Sequence, residues 1–173
     1  MRLGAILPLG VHDGAGFLPD NGHRVPVVPP MADEALPRVG VGLLIVDDDR
    51  VLLTLRRRAP EAGCWSILGG RVEFFETVES CAAREAREEA GIDISIERLL
   101  CVTDHILPDE GIHWVAPAFL GRIVQGVPAN REPEKTAQVA WFALNDLPRE
   151  LTLTARRAIH AYLADIHSSG GMQ

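Results

Sequence analysis

Residues 70–92, GRVEFFETVESCAAREAREEAGI, constrain this chain more than any other stretch. Gly70 is followed by five residues and then Glu76. Seven more lead to Arg84-Glu85, an apolar Ala86, Glu88-Glu89, Gly91 and an apolar Ile92. Local preferences turn this run into a loop, a helix and a stop. Thr77 is a suitable N-cap, and Glu79 places negative charge in the first turn, where it suits the helix dipole. Residues 78–90 contain neither Pro nor Gly, and their alanines are good helix formers. Val78, Ala82, Ala86 and Ala90 step by four along one apolar stripe, which predicts packing against a sheet. Gly91 supplies the left-handed residue expected just past a helix end.

On such a helix Glu85 stands three residues before Glu88 and four before Glu89. The three carboxylates then share about a third of the circumference. Like charges placed side by side repel, and the arrangement calls for positive charge among them. Oxygen donors suit Mg²⁺ or Mn²⁺ rather than a thiophilic metal. Mg²⁺ keeps several waters and shares substrate phosphate oxygens. Glu76, just ahead of the helix, can reach back to the cluster. Arg84 either neutralises neighbouring carboxylates or steadies the loop. Gly69 and Gly70 permit close backbone approach, so a carbonyl there is a further candidate ligand. An isolated E-x-x-E-E run reads as a solvated helix face. The glycines, Glu76 and Arg84 in register favour the metal reading instead.

The full pattern, G-x5-E-x7-R-E-U-x-E-E-x-G-U with U apolar, is the box of the Nudix hydrolases. The chain resembles that family, MutT-like in size, over roughly residues 38–166. The resemblance implies an α/β/α sandwich with a mixed β-sheet, the box forming a loop-helix-loop packed on it, and Mg²⁺-dependent cleavage of a diphosphate, with Mn²⁺ as a substitute. It also implies a backbone carbonyl just ahead of the box as a metal ligand. The expected metal set is Glu85, Glu88, Glu89, Glu76 and Gly69. Two residues depart from the family pattern. Leu68 stands where Pro is usual before the paired glycines, and Phe75 where Gly is usual before the first box glutamate.

Residues 130–135, NREPEK, look like a segment of the family's small nucleoside-triphosphate diphosphatases. There, an acidic residue beyond the box helps bind metal or activate water. Glu132 and Glu134 match, with Glu134 ranked first, and an exposed acidic loop is the alternative. Glu88, Glu85, Arg84 and Glu134 form the expected catalytic set. Arg56, chosen from Arg56–Arg58 at a strand end, is the candidate to fork onto a phosphate. Gly70 and Trp114 complete the substrate-binding candidates. Phe74 is a second candidate for base stacking, against ordinary core packing. His105 and His113 are expected roughly opposite each other across a hairpin, either lining a base pocket or as plain hairpin residues.

The expected reaction is nucleoside triphosphate to monophosphate plus pyrophosphate. ADP-ribose is the alternative, since some family members acting on it carry a proline about where Pro108 stands. The LPDEG turn explains that proline without a substrate. A non-catalytic nucleotide-sensing domain is a third reading, opposed by the intact set of box carboxylates. A homodimer is possible.

Elsewhere the pattern reads as strands at 39–46, 51–57, 65–68, 94–106, 112–124 and 138–142, and a helix at 154–166 with Ala155, Ile159, Tyr162, Leu163 and Ile166 on one face. The net charge of −7 disfavours a nucleic-acid polymer as partner, while a metal reconciles it with a polyanionic nucleotide. Cys64, Cys81 and Cys101 form no CxxC pair and point to reduced thiols in a cytoplasm, with Cys81 and Cys101 as small core residues. No apolar run approaches the roughly 20 residues that span a bilayer. Residues 1–37 read as an irregular extension, with five Gly and five Pro among the first thirty and Met31 as a candidate start. Residues 38–166 form the expected domain and 167–173 a flexible tail.

Overall fold

The computed structural model of the chain describes residues 36–170. The predicted extension 1–37, with Met31, lies outside the described residues except for Leu36 and Pro37. The end of the predicted tail, 171–173, lies outside them too.

Strand β1 (Arg38–Asp47) and strand β2 (Arg50–Arg56) form the first hairpin. The segment 65–68, read above as one strand, divides in two. β3 (Trp65–Ser66) pairs with β2, whereas β4 (Leu68–Arg71) pairs antiparallel with β1. A short apolar run carries no mark of where it changes partner, so the division was not visible in the sequence. β5 (Asp93–Leu107) and β6 (Ile112–Gln125) form a long hairpin, and β6 lies parallel to β1. β7 (Thr136–Ala143) returns antiparallel to β2. The resulting mixed sheet has the order β3-β2-β1-β6-β5, with β4 on β1 and β7 on β2.

Helix α1 (Val78–Glu85) continues as a π-turn over Ala86–Ala90. Its ends follow the sequence. Thr77 accepts a hydrogen bond from Ser80 N at 3.1 Å, and Gly91 is left-handed with φ 69°. Side chains alternate across β1, so the two faces of the sheet build separate cores. Val41, Leu43 and Ile45 meet Cys81, Ala82, Ala86 and Ala90 on the α1 side. Leu44 meets Ala155, Ala158 and Ile159 of helix α2 (Leu153–Gly170) on the other. This is the α/β/α sandwich. Ile166, predicted to lie on the packed face of α2, is 42% exposed, because the helix continues beyond the last residues that reach the sheet. Among the described residues no helix is long and apolar enough to cross a membrane.

Ala82, Ala86 and Ala90 are fully buried, which lets the box helix approach the sheet closely. Ala86→Leu is expected to destabilise the fold by about 1–3 kcal/mol through overpacking. Ile166→Ala should cost no more than about 0.5 kcal/mol. Urea unfolding of both variants checks the contrast.

Candidate active site

Two adjacent glycines place the sheet against the box helix, for different reasons. Gly69 has φ 146°, and a Cβ there would lie 2.1 Å from the Val41 carbonyl oxygen. Its amide donates to Glu89 Oε2 at 3.0 Å. Gly70 instead leaves room for a side chain, since a Cβ would lie 2.1 Å from Glu85 Oε1. Glu85 is thereby buried against the backbone of β4, and Glu88 on the same helix stays exposed.

Arg84 gathers the acidic groups. Its Nε donates to Glu76 Oε1 at 2.9 Å and its Nη2 to Glu76 Oε2 at 3.0 Å, a bidentate pair. Nη1 lies between Glu85 Oε1 at 2.7 Å and Glu88 Oε2 at 3.0 Å. Nη2 also donates to the Arg71 carbonyl at 3.1 Å. The positive charge that the clustered carboxylates require is supplied here by a guanidinium. With Arg84 on one side and the Glu73 amide adding a donor, the Glu76 carboxyl is held down at about 2. Both Glu76 oxygens are thus engaged by Arg84. Burial pushes the neighbouring Cys81 thiol up to about 12. It is a core residue, as expected.

A segment between β6 and β7 straps the end of the helix. Ala129 N donates to Ala90 O and Arg131 N to Glu89 O, each at 3.0 Å. Asn130 donates to Thr136 O at 2.9 Å and accepts from Glu132 N at 3.1 Å, folding the NREPEK run on itself. Glu132 is turned inward by this fold. Its Oε1 accepts from Lys135 at 2.5 Å, while its Oε2 is buried without a hydrogen-bond partner. Its charge also adds to what disfavours ionised Glu89. Glu134, ranked first from sequence, is exposed in the turn, and neither glutamate lines either cavity. Both fit the family pattern, and only the local turn decides which one faces inward.

Two adjoining cavities share Arg56, Ile67, Gly69, Gly70 and Arg71. One, of about 420 Å³, contains Glu85, Glu88, Glu89, Arg58 and Lys135. The other, of about 250 Å³, is a slot lined by Trp114, His105, Ser66, Thr152 and Glu61. Arg56 stands between them, its Nε tied to Pro60 O at 3.0 Å. Arg57 instead bonds to backbone carbonyls near the start of β7 and is structural. Trp114, Gly70 and Arg56 all line the slot. Phe74 is not: it is 89% exposed and lies outside both cavities. His105 pairs with Trp114 across the hairpin and His113 with Ile106, so the two histidines stand one register position apart and on opposite faces. His113 is exposed and does not line the slot. Glu61, Lys135 and Arg71 were missed. Lys135 closes the NREPEK run without being singled out there, and nothing in the local sequence marks Glu61 or Arg71.

The model of the NUDIX domain matches residues 36–162. The chain belongs to the Nudix family. It is similar to an ADP-ribose pyrophosphatase of Methanocaldococcus jannaschii, 34% identical over 65% of this chain and 66% of that protein. It is also similar to the NAD-capped RNA hydrolase NudC of Stutzerimonas stutzeri, 31% identical over 84% of this chain and 50% of that protein. The chain therefore spans between half and two thirds of the length of these curated relatives. The crystal structure of a MutT Nudix hydrolase from Burkholderia pseudomallei matches with a TM-score of 0.69 and 49% identity, covering 73% of this chain and 98% of that one.

One departure from the Nudix pattern has a visible conformational consequence. Phe75, where glycine is usual, takes a left-handed backbone with φ 67°. A bulky side chain is strained in that conformation. Its ring lies 4.1 Å from that of Phe74, centroid to centroid, and both are exposed.

Nudix hydrolases generally use divalent metals, typically Mg²⁺. Among the described residues no three acidic, histidine or cysteine side chains already converge on one point. Arg84 holds Glu85 and Glu88, and Gly69 holds Glu89. The donor set nevertheless suits such an ion. It is all oxygen, it includes the unpartnered Glu132 Oε2, and burial pushes the Glu89 carboxyl up to about 8 against the opposing Gly69 amide. Burial likewise raises Glu85, against Arg84. A nearby cation would favour the ionised form of each.

The glycine pair gives one test. Gly70→Ala displaces only the flexible end of Glu85, so it should leave the melting temperature nearly unchanged while weakening Mg²⁺ binding by calorimetry. Gly69→Ala meets backbone and should lower the melting temperature sharply. Glu89 gives another. Its proton is held more tightly in the folded than in the unfolded chain, whose carboxyl titrates near 4.5. Folding stability therefore falls as pH rises from about 4.5 to about 8. In chelator the melting temperature should decline across this window, and Mg²⁺ should restore part of it at the upper end. Glu89→Gln should flatten the profile. An unchanged slope in that variant would assign the effect to another group.

Proposed function

We propose that this chain is a Mg²⁺-dependent Nudix hydrolase that cleaves a diphosphate linkage in a nucleotide, with a nucleoside triphosphate going to monophosphate and pyrophosphate as the first reading. The observation that carries it is the pair of cavities, a slot beside Trp114 and the carboxylate cavity, that share Arg56 and the paired glycines as walls. A nucleoside in the slot would place its phosphates over Gly69, Gly70 and Arg56.

Within this reading Glu85, Glu88 and Glu89 hold Mg²⁺ or Mn²⁺, joined by the Gly69 carbonyl, with Glu132 rather than Glu134 as the distal acidic contributor. The bound ion supplies neutralisation of phosphate charge and acidifies water. Arg56, with its unused guanidinium donors, orients a phosphate. Arg84 keeps Glu85 and Glu88 aligned, and its own direction is set by Glu76. Glu132 Oε2, buried and unpartnered, adds negative charge near Glu89 and so favours a cation there. Positioning and electrostatic stabilisation carry most of the catalysis in such transfers. The free thiols accord with a reducing, cytoplasmic setting.

ADP-ribose is the second reading, favoured by the similarity to the Methanocaldococcus jannaschii enzyme. Pro108 adds nothing to it, because it opens a 3₁₀ turn closed by the left-handed Gly111, which explains the residue locally.

Product identification over a panel of nucleoside triphosphates and ADP-ribose, with Mg²⁺ or Mn²⁺, separates the readings: pyrophosphate marks the first, AMP with ribose phosphate the second. Glu88→Gln should retain the fold and lower turnover by roughly 10²-fold or more. Glu132→Gln should lower turnover much more than Glu134→Gln. Equal losses in the last two would remove the distinction drawn from burial.

A further inference from the structure

The slot holds a polar pair that no step above uses. Glu61 has a left-handed backbone, φ 56°, in the loop after β2. That loop is closed by its own bonds, Gly63 N to Arg56 O at 2.9 Å and Cys64 N to Glu61 O at 3.1 Å. Glu61 Oε1 accepts from Leu153 N, at the start of α2, at 2.8 Å. One carboxylate oxygen is thereby anchored. The other, Oε2, has no hydrogen-bond partner among the described residues and stands 3.8 Å from Nε2 of the buried His105. That separation is too long for a hydrogen bond. Both residues line the slot.

The shape of the slot limits what can reach them. Gly40, Gly42, Gly69 and Gly70 give it walls of bare backbone, and a Cβ on Gly40 would come within 3.4 Å of the Trp114 ring. Bare backbone beside an indole suits a flat ring better than a puckered sugar. The geometry points to Glu61 as a specificity residue: its Oε2 accepts from the exocyclic amino group of a nucleobase in the slot, while His105 Nε2 meets the neighbouring edge atom.

This rests on the nucleotide reading and adds the class of base to it. A carboxylate is an acceptor, so an amino group opposite it forms a bond, whereas a carbonyl oxygen in that place is repelled. Adenine and cytosine nucleotides are thus favoured over their oxo counterparts. Anchoring α2 would by itself account for Glu61, but it uses only Oε1.

Paired substrates test the assignment. ATP is compared with ITP, and CTP with UTP, for binding by calorimetry and for kcat/KM with Mg²⁺. Each pair exchanges an amino for an oxo group. The wild-type protein is expected to favour the amino member by about tenfold or more, the scale of one hydrogen bond to a charged group. Glu61→Gln keeps an amide oxygen for Leu153 and turns an NH₂ group toward the slot. Its preference should fall to parity or reverse, with the loss on KM more than on kcat and the melting temperature held. An amino preference in Glu61→Gln equal to that of wild type overturns the assignment, as does a wild type without preference. Amino-selective binding without cleavage upholds the role of Glu61 and overturns only the triphosphate reading. Failure of all four nucleotides both to bind and to react overturns the Glu61 assignment and the triphosphate reading together.

Discussion

The contact between the Gly69 amide and the Glu89 carboxylate joins the sheet to the box helix, and the rest of the site is arranged around it. Burial disfavours the Glu89 charge, and one backbone donor only partly offsets this. The contact exists because Gly69 adopts φ 146°, which leaves no space for a side chain against β1. Fully buried alanines bring the helix near enough to be reached. Close packing, a special backbone conformation and a penalised carboxylate thus form one feature. Loss of any of the three would move the other two.

The role of Arg84 alters how the acidic cluster is understood. Repulsion among Glu85, Glu88 and Glu89 argued from sequence for a cation among them. Yet Arg84 Nη1 already lies between Glu85 and Glu88. Charge balance alone therefore does not require a metal. Support for one comes from groups that Arg84 does not reach, namely Glu89 and the unpartnered Glu132 Oε2. Glu76, doubly bonded to Arg84, sets the direction of the guanidinium.

Local signals served well where a single segment decides the outcome. Thr77 caps α1, Gly91 ends the π-turn, and Ala82, Ala86 and Ala90 pack as the stripe predicted. The π-turn itself was missed, since no residue within Ala86–Ala90 requires it. Within it Glu89 is bonded to β4, while Glu88 stays exposed. Phe75 was legible as a departure from family pattern, but its left-handed backbone was not.

The identity of the box, its helix and the acidic donors followed from residue types at fixed spacing, because those depend on contacts a few residues apart. Which acidic group points inward was decided only by the fold. Glu132 and Glu134 are chemically alike, and a turn held by Asn130 buries one and exposes the other. The slot is likewise tertiary. Glu61 and His105 come together because β2, β5 and α2 converge there, and no pattern in a linear chain marks an encounter across such a separation.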